Sequence, residues 1–261
     1  MCCLSDGTVL VMSGITIDGN KINDDIQIWK NGNWDLIAHF DGAPLYPRLH
    51  LAPDGRVFMA GPNALSEFVD TRNGGNWTPS AIRANGSRDY APSVMYVDIN
   101  TLKGGKVMYI GGGNNSDTKA PTNAVEVIDL NEASPVWRQT ERMNFARRQH
   151  NAVLLPDGTV LVTGGTRGGG GPNDGLNDLT SGQPVHEAEL WDPTTGKWTE
   201  LAAEAVDRCY HSTSVLLPDA TVLSAEGGER ALGGAPSDIG QLRGLGLLRV
   251  KQLQVSALGD G

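Results

Sequence analysis

Short apolar runs alternate with polar turns along this chain, and one order of positions returns five times. A turn leads into a mostly β-branched run that closes on a glycine pair or its remnant. It reads Leu4-Ser5-Asp6-Gly7-Thr8-Val9-Leu10-Val11-Met12-Ser13-Gly14, then Pro53-Asp54-Gly55-Arg56-Val57-Phe58-Met59-Ala60-Gly61. It returns at Gly104–Gly112, at Leu155–Gly165 and, more weakly, at Leu217–Gly228. Asp-Gly supplies the positive backbone dihedrals of a hairpin turn, and the run after it suits a buried strand. The closing glycines let the backbone bend and pack closely.

Between the copies lies a second element: an alternating strand, a turn and a tryptophan. Its best example is Glu187-Ala188-Glu189-Leu190-Trp191-Asp192-Pro193-Thr194-Thr195-Gly196-Lys197-Trp198. The others run from Ile26 to Trp34, Ser66 to Trp77 and Val125 to Trp137, so the closing tryptophans stand 43, 60 and 61 residues apart. A β-sandwich also contains many short strands, but not one glycine-to-tryptophan order four times over. The repeat predicts an all-β, kelch-type β-propeller over residues 1–228, partial, with about four to five blades of four-stranded antiparallel sheet. The tryptophans are expected in the core, with sugar stacking a distant second role.

After Gly228 the pattern stops. Residues 229–261 are expected to be a non-kelch tail, irregular or a short helix. Leu242, Leu245, Leu247, Leu248, Val250 and Leu253 allow the helix, whereas Gly240, Gly244 and Gly246 weaken it. A disordered end, or a reading frame lost near Glu229, are the other options. At the other end, Val9–Met12 follows Met1 with no basic region and apolar stretch before it, so no signal peptide is read. The natural start is expected upstream.

Lys+Arg 21 against Asp+Glu 30 leaves a net charge of −9, which speaks against nucleic acid or an anionic membrane as partner. No run is long and apolar enough to span a bilayer. Cys2, Cys3 and Cys209 make neither a disulfide framework nor a zinc-like spacing. Gly168–Gly171 lacks the Lys-Ser/Thr and the helix of a phosphate loop and is expected to be a flexible loop. His39, His50 and His186 show no ligand spacing and are expected to be surface or core residues. Arg147 and Arg148 are expected to be solvated or bonded to blade carbonyls.

Two segments carry more specific character: Asn144-Phe145-Ala146-Arg147-Arg148-Gln149-His150 before Leu155-Pro156-Asp157-Gly158, and Asp207-Arg208-Cys209-Tyr210-His211-Ser212-Thr213-Ser214 before Leu217-Pro218-Asp219. The histidine precedes the turn aspartate by seven residues in one and eight in the other. With Leu45-Tyr46-Pro47-Arg48 upstream, these segments resemble successive blades of the galactose oxidase/glyoxal oxidase family of copper-radical oxidases. The resemblance implies a seven-bladed propeller followed by a β-sandwich, secretion, a monomer, and one copper ion held by two tyrosines and two histidines. It implies oxidation of a primary alcohol to an aldehyde, or of an aldehyde to an acid, with O2 reduced to H2O2. Small alcohols, aldehydes or carbohydrates would be the substrates.

Carried over by position, the resemblance makes Tyr210 a copper ligand and the catalytic base, and His211 the imidazole ligand. Copper(II) suits nitrogen and oxygen donors. Neighbouring strand residues point to opposite faces, so both can reach one ion only at a strand end or bulge. His150, Tyr46 and Arg48 would contact substrate, and the family's further aromatic would fall near Ser116. The radical tyrosine would lie two positions before Met1 and its cysteine partner one blade earlier. The aromatic that stacks on that tyrosine would fall near Thr16, where none is present. The last histidine ligand belongs to the β-sandwich, so two of the four ligands are expected to be missing and the chain inactive by itself. The alternative is a non-catalytic kelch propeller that binds a protein or a carbohydrate; its Tyr210-His211 would be an ordinary hydrogen-bonded pair.

Overall fold

The structure, a computed structural model, describes residues 1–17, 19, 21–113, 120–168, 178–225 and 246–248. Among these, all regular structure is strand apart from one 3-10 turn at Thr71–Asn73. The chain divides into two compact units, Met1–Ser116 with Ala124–Thr140, and Asp117–Asn123 with Glu141–Gly261. The division falls inside residues 1–228, where the repeat by itself suggests one continuous body.

The first unit holds three antiparallel sheets, each of four strands in chain order. They are β1 (Cys2–Cys3), β2 (Val9–Met12), β3 (Asp25–Lys30) and β4 (Asn33–His39); β5 (Arg48–Leu51), β6 (Val57–Gly61), β7 (Leu65–Asp70) and β8 (Asn76–Ile82); and β9 (Ser93–Asp98), β10 (Lys103–Ile110), β11 (Val125–Asp129) and β12 (Arg138–Gln139). The glycine-closed runs become second strands, and the tryptophan elements become third and fourth. Alternation sets which neighbour each residue meets. Leu10, Met12 and Ile26 pack with Val57, Met59 and Val69, and Trp77 lies against them. Phe58, Ala60 and Phe68 turn the other way and pack with Val107, Tyr109 and Ile128, against Trp137. Both faces of the middle sheet are therefore covered, and all five residues of β6 are buried. Each large side chain removed from water in this way contributes about 1.5–3 kcal/mol.

The second unit holds a four-stranded sheet, β13 (Asn151–Leu154), β14 (Val160–Thr163), β15 (Glu187–Asp192) and β16 (Lys197–Ala203). Beside it lies a three-stranded one, β17 (Thr213–Leu216), β18 (Val222–Ala225) and β19 (Gly246–Leu248). Val153, Leu155, Leu161, Ala188 and Val222 form the core between them. The count of four four-stranded sheets and one three-stranded sheet matches the four to five blades expected. In the tail, Gly246–Leu248 pairs with Val222–Ser224 as strand and not as helix. The rest of the tail, Gly227-Gly228, Ser116 and Gly169–Gly171 lie outside the described residues.

The turns form as the motif demands. Asp6, Asp54, Asp157 and Asp219 each accept a hydrogen bond from the amide two residues on. Gly7, Gly55 and Gly158 take positive φ, but the fifth copy places Ala220 there at φ +62°.

One buried arrangement occurs in both units. Arg147, fully buried, donates to the carbonyls of Gly164 and Glu187 and to Glu189 Oε2 at 2.7 Å. Glu189 also accepts from the Asn144 amide at 2.6 Å. Arg88 repeats this with the carbonyls of Gly111 and Ala124 and with Glu126 Oε2 at 2.6 Å. Of the two expectations for Arg147, bonding to blade carbonyls holds and solvation does not. The tryptophans divide as well: Trp191 and Trp198 are buried, whereas Trp29 and Trp34 are exposed, which corrects their expected place in the core.

Candidate functional site

In the second unit Tyr210 and His211 form the middle of a tight turn, closed by a hydrogen bond from the Ser212 amide to the Cys209 carbonyl at 3.0 Å. His211 adopts φ +62°. That left-handed residue breaks the strand alternation which would send neighbouring side chains to opposite faces. The two rings instead stack, with centroids 3.9 Å apart and planes 25° from parallel. Tyr210 is half-buried and His211 exposed.

The glycine pair that closes β14 fixes this turn. Gly165 N donates to the Arg208 carbonyl at 2.6 Å, and Cys209 Sγ donates to the Gly165 carbonyl at 3.4 Å. A Cβ at Gly164 would overlap the Arg208 carbonyl oxygen, so a side chain there would push the turn away. Asn151 Nδ2 donates to Ser212 Oγ at 2.9 Å and ties the lead-in of β17 to the first residue of β13. Burial pushes the Cys209 thiol up to about 12, with the charges of Asp207, Asp178 and Glu204 adding to the effect.

His150 is buried just before β13, against Gly165, where a Cβ would meet the His150 Cβ at 2.8 Å. It does not stand in the same place as His211. The left-handed residue of its segment is Gln149, at φ +61°. Tyr46, Gln149 and His211 each take positive φ eight residues before the turn aspartates Asp54, Asp157 and Asp219. The offsets of seven and eight for the two histidines therefore reflect two different positions.

Tyr46 and Arg48 lie in the first unit. Tyr46, at φ +54°, stacks obliquely on Tyr90 with ring centroids 5.9 Å apart. Arg48 opens β5 and donates Nε to the Ala91 carbonyl at 2.8 Å. Both line a cavity of about 340 Å³ together with Pro44, Asp89, Tyr90 and Tyr109. Tyr109 is fully buried; its hydroxyl donates to the Arg88 carbonyl at 2.7 Å, and burial raises its pKa. Tyr109 lies inside the third copy, where the repeat marks it only as a strand residue, and Asp89 and Tyr90 lie ahead of that copy, outside any motif.

The remaining histidines make local bonds. His50 Nε2 pairs with Ser93 Oγ at 2.7 Å; burial, then the nearby Arg48 charge, lowers its pKa to about 4. His186 Nε2 lies 2.8 Å from Asp207 Oδ1. His39 Nδ1 lies 3.0 Å from Asp25 Oδ1 and 3.7 Å from Asp24 Oδ1.

Comparison with known proteins covers these segments. Residues 35–231 match the family model of the glyoxal oxidase N-terminus. Galactose oxidase of Gibberella zeae is 33% identical over 180 residues, which take in 67% of this chain and 25% of that protein. The aldehyde oxidase GLOX1 of Arabidopsis thaliana is 27% identical over 203 residues, 69% of this chain and 31% of that protein. The chain thus spans about a quarter to a third of the length of these curated relatives. Among solved structures, a fungal alcohol oxidase in complex with copper superposes with a TM-score of 0.73 at 26% identity, over 87% of this chain and 47% of that one. YjhT superposes with a TM-score of 0.64 over 94% of this chain and 82% of that one; at 14% identity it speaks for the fold alone. The sheets are those of a partial β-propeller.

Proposed function

The chain belongs to the family of the glyoxal oxidase N-terminus, and from that premise we propose that Tyr210 and His211 are copper ligands of a galactose oxidase/glyoxal oxidase-like oxidase. The observation that carries this reading is the turn Cys209–Ser212, which sets a phenol and an imidazole side by side with their rings 3.9 Å apart. One oxygen and one nitrogen donor suit copper(II) and leave coordination positions open. Copper, when bound, supplies the redox chemistry by which a primary alcohol or an aldehyde is oxidised and O2 takes up two electrons and two protons as H2O2.

The chain's own residues handle the proton and the substrate. Tyr210, as phenolate, accepts the proton of the substrate hydroxyl. His211 keeps its place beside it because the left-handed backbone and the Ser212–Asn151 bond hold the turn. His150 is proposed to contact substrate, its support being its place in the lead-in next to Gly165. For Tyr46 and Arg48 the same role is supported by the cavity they line, where Arg48 Nε donates to the Ala91 carbonyl. A kelch-type repeat and an extracellular setting belong to the same reading.

Catalytic geometry depends on a whole ligand shell. Two donors fill half of the set that the resemblance implies, so these 261 residues are expected to bind copper and release no peroxide by themselves. The test is copper content by mass spectrometry, with peroxide release assayed on galactose, glycerol and methylglyoxal. Copper retained by the wild type and lost in Tyr210→Phe and His211→Ala supports the reading. Background copper in all three would leave standing the alternative, a propeller that binds a protein or carbohydrate, which the Tyr46–Tyr90 pair beside Arg48 favours.

A further inference from the structure

The arginines of the first unit are neutralised in two ways. Among the described residues Arg56 pairs with Asp54, Arg72 with Asp70, Arg88 with Glu126 and Arg138 with Glu132. Arg83 is instead held by the carbonyls of Ala60, Pro62 and Asn63. Arg48 takes part in none of these ion pairs. Burial lowers its pKa, and what acts the other way comes from the phenols of Tyr109 and Tyr46, which are no counter-ions at neutral pH. Its charge is felt in turn at His50. A cation drawn partly out of water without a counter-charge is costly, and an anion beside it offsets that cost.

Arg48 lines the cavity of about 340 Å³, a volume at the lower end of the range, about 300–1,000 Å³, of small-molecule sites. The walls are fixed. Tyr109 is anchored by its bond to the Arg88 carbonyl, and its ring leaves no room for a Cβ at Gly61. Tyr46 and Tyr90 come from the lead-ins of β5 and β9 and adopt φ +54° and +55°. A left-handed backbone is unfavourable for so bulky a side chain, and strain of this kind collects at ligand clamps. It sets the two rings 5.9 Å apart and 50° from parallel, beside the guanidinium.

This lining specifies a ligand. The planar guanidinium fork matches a carboxylate, and two tyrosine rings offer an apolar face to the C–H side of a sugar ring. Asp89 lines the same cavity, so a single negative charge suits it better than the double charge of a phosphate.

We infer that the cavity takes a sugar acid, its ring against Tyr46 and Tyr90 and its carboxylate on Arg48. This deepens the substrate role proposed for Tyr46 and Arg48 and rests on that reading, but nothing in it uses copper. A hexuronate keeps an aldehyde carbon, as its hemiacetal, for the proposed oxidation.

Isothermal titration calorimetry of the full chain at low ionic strength, with no copper added, tests this on galacturonate, its methyl ester and galactose. Galacturonate should bind about tenfold or more tightly than either neutral sugar, as one hydrogen-bonded charge pair warrants. Arg48→Gln should remove that preference. Tyr90→Leu should weaken galacturonate severalfold and keep its preference over the ester. Should a variant fail to fold, the comparison of acid and ester on the wild type still decides. Acid and ester bound equally would overturn the inference, as would galacturonate held undiminished by folded Arg48→Gln. Inorganic phosphate that displaces galacturonate at equal concentration would overturn it too, by reducing the site to a point charge. Equal binding of all three sugars, weakened in Tyr90→Leu, would refute the acid and leave the substrate role of Tyr46 and Arg48 standing; no binding of any sugar would refute both.

Discussion

Glu189→Ala should be among the most damaging single changes in the second unit, and the structure says why. Arg147 and Glu189 are both fully buried, with Nη2 and Oε2 2.7 Å apart. Truncating the carboxylate strands a guanidinium away from water and also removes the acceptor of the Asn144 amide. Breaking a buried pair in this way costs about 3–5 kcal/mol, and the lost amide bond about 1 kcal/mol more. A domain is stable by about 5–15 kcal/mol, so the change takes a large share of the whole. The double variant Arg147→Met/Glu189→Leu should recover most of the loss, because no charge is left unpaired. Urea unfolding followed by the fluorescence of Trp191 and Trp198, which lie in the same sheet, measures both. A loss below about 1 kcal/mol in Glu189→Ala, or a double variant as unstable as the single, would refute the view that this pair locks the lead-in to β13 and Gly164.

Three further outcomes follow from single positions. Ala220→Gly should stabilise the chain by about 0.5–1 kcal/mol in the same unfolding assay, because Ala220 holds the φ of +62° that glycine holds in three of the other turns. His50 has its folded pKa lowered from 6.5 to about 4, so unfolding takes up a proton at low pH. Its contribution is intact above pH 6.5 and lost as pH falls toward 4, and His50→Gln should flatten that part of the stability–pH curve. Cys3 is exposed, whereas Cys2 and Cys209 are buried with raised thiol pKa values. Brief iodoacetamide labelling at pH 8, read by peptide mass spectrometry, should therefore modify Cys3 first and Cys209 last.

The strand-rich fold was legible because its signals are local. Asp-Gly turns, β-branched runs and glycine closures act within about ten residues, and four of the five turn motifs carry the aspartate that caps the turn. The Tyr210-His211 pair was singled out by the family resemblance and not by such local signals; the structure sets it in the turn Cys209–Ser212, just before β17. Partners distant in sequence could not be read. Nothing marks Glu189 as the counter-ion of Arg147, 42 residues away, or Tyr90 as the ring beside Tyr46. The exposure of Trp29 and Trp34 was equally hidden, because their segment repeats the same pattern as the buried ones. Which face is covered depends on the neighbouring sheet and not on the residues themselves.

Copper(II) titration of the full chain, followed by optical absorption, bears most directly on the paired phenol and imidazole. A phenolate bound to copper absorbs visible light by charge transfer, whereas copper scattered on surface carboxylates does not. The band should grow with one equivalent of metal in the wild type, vanish in Tyr210→Phe and weaken in His211→Ala. The same spectrum from wild type and Tyr210→Phe would mean that Tyr210 holds no metal, and the chemical kinship with the oxidases would fail at its centre.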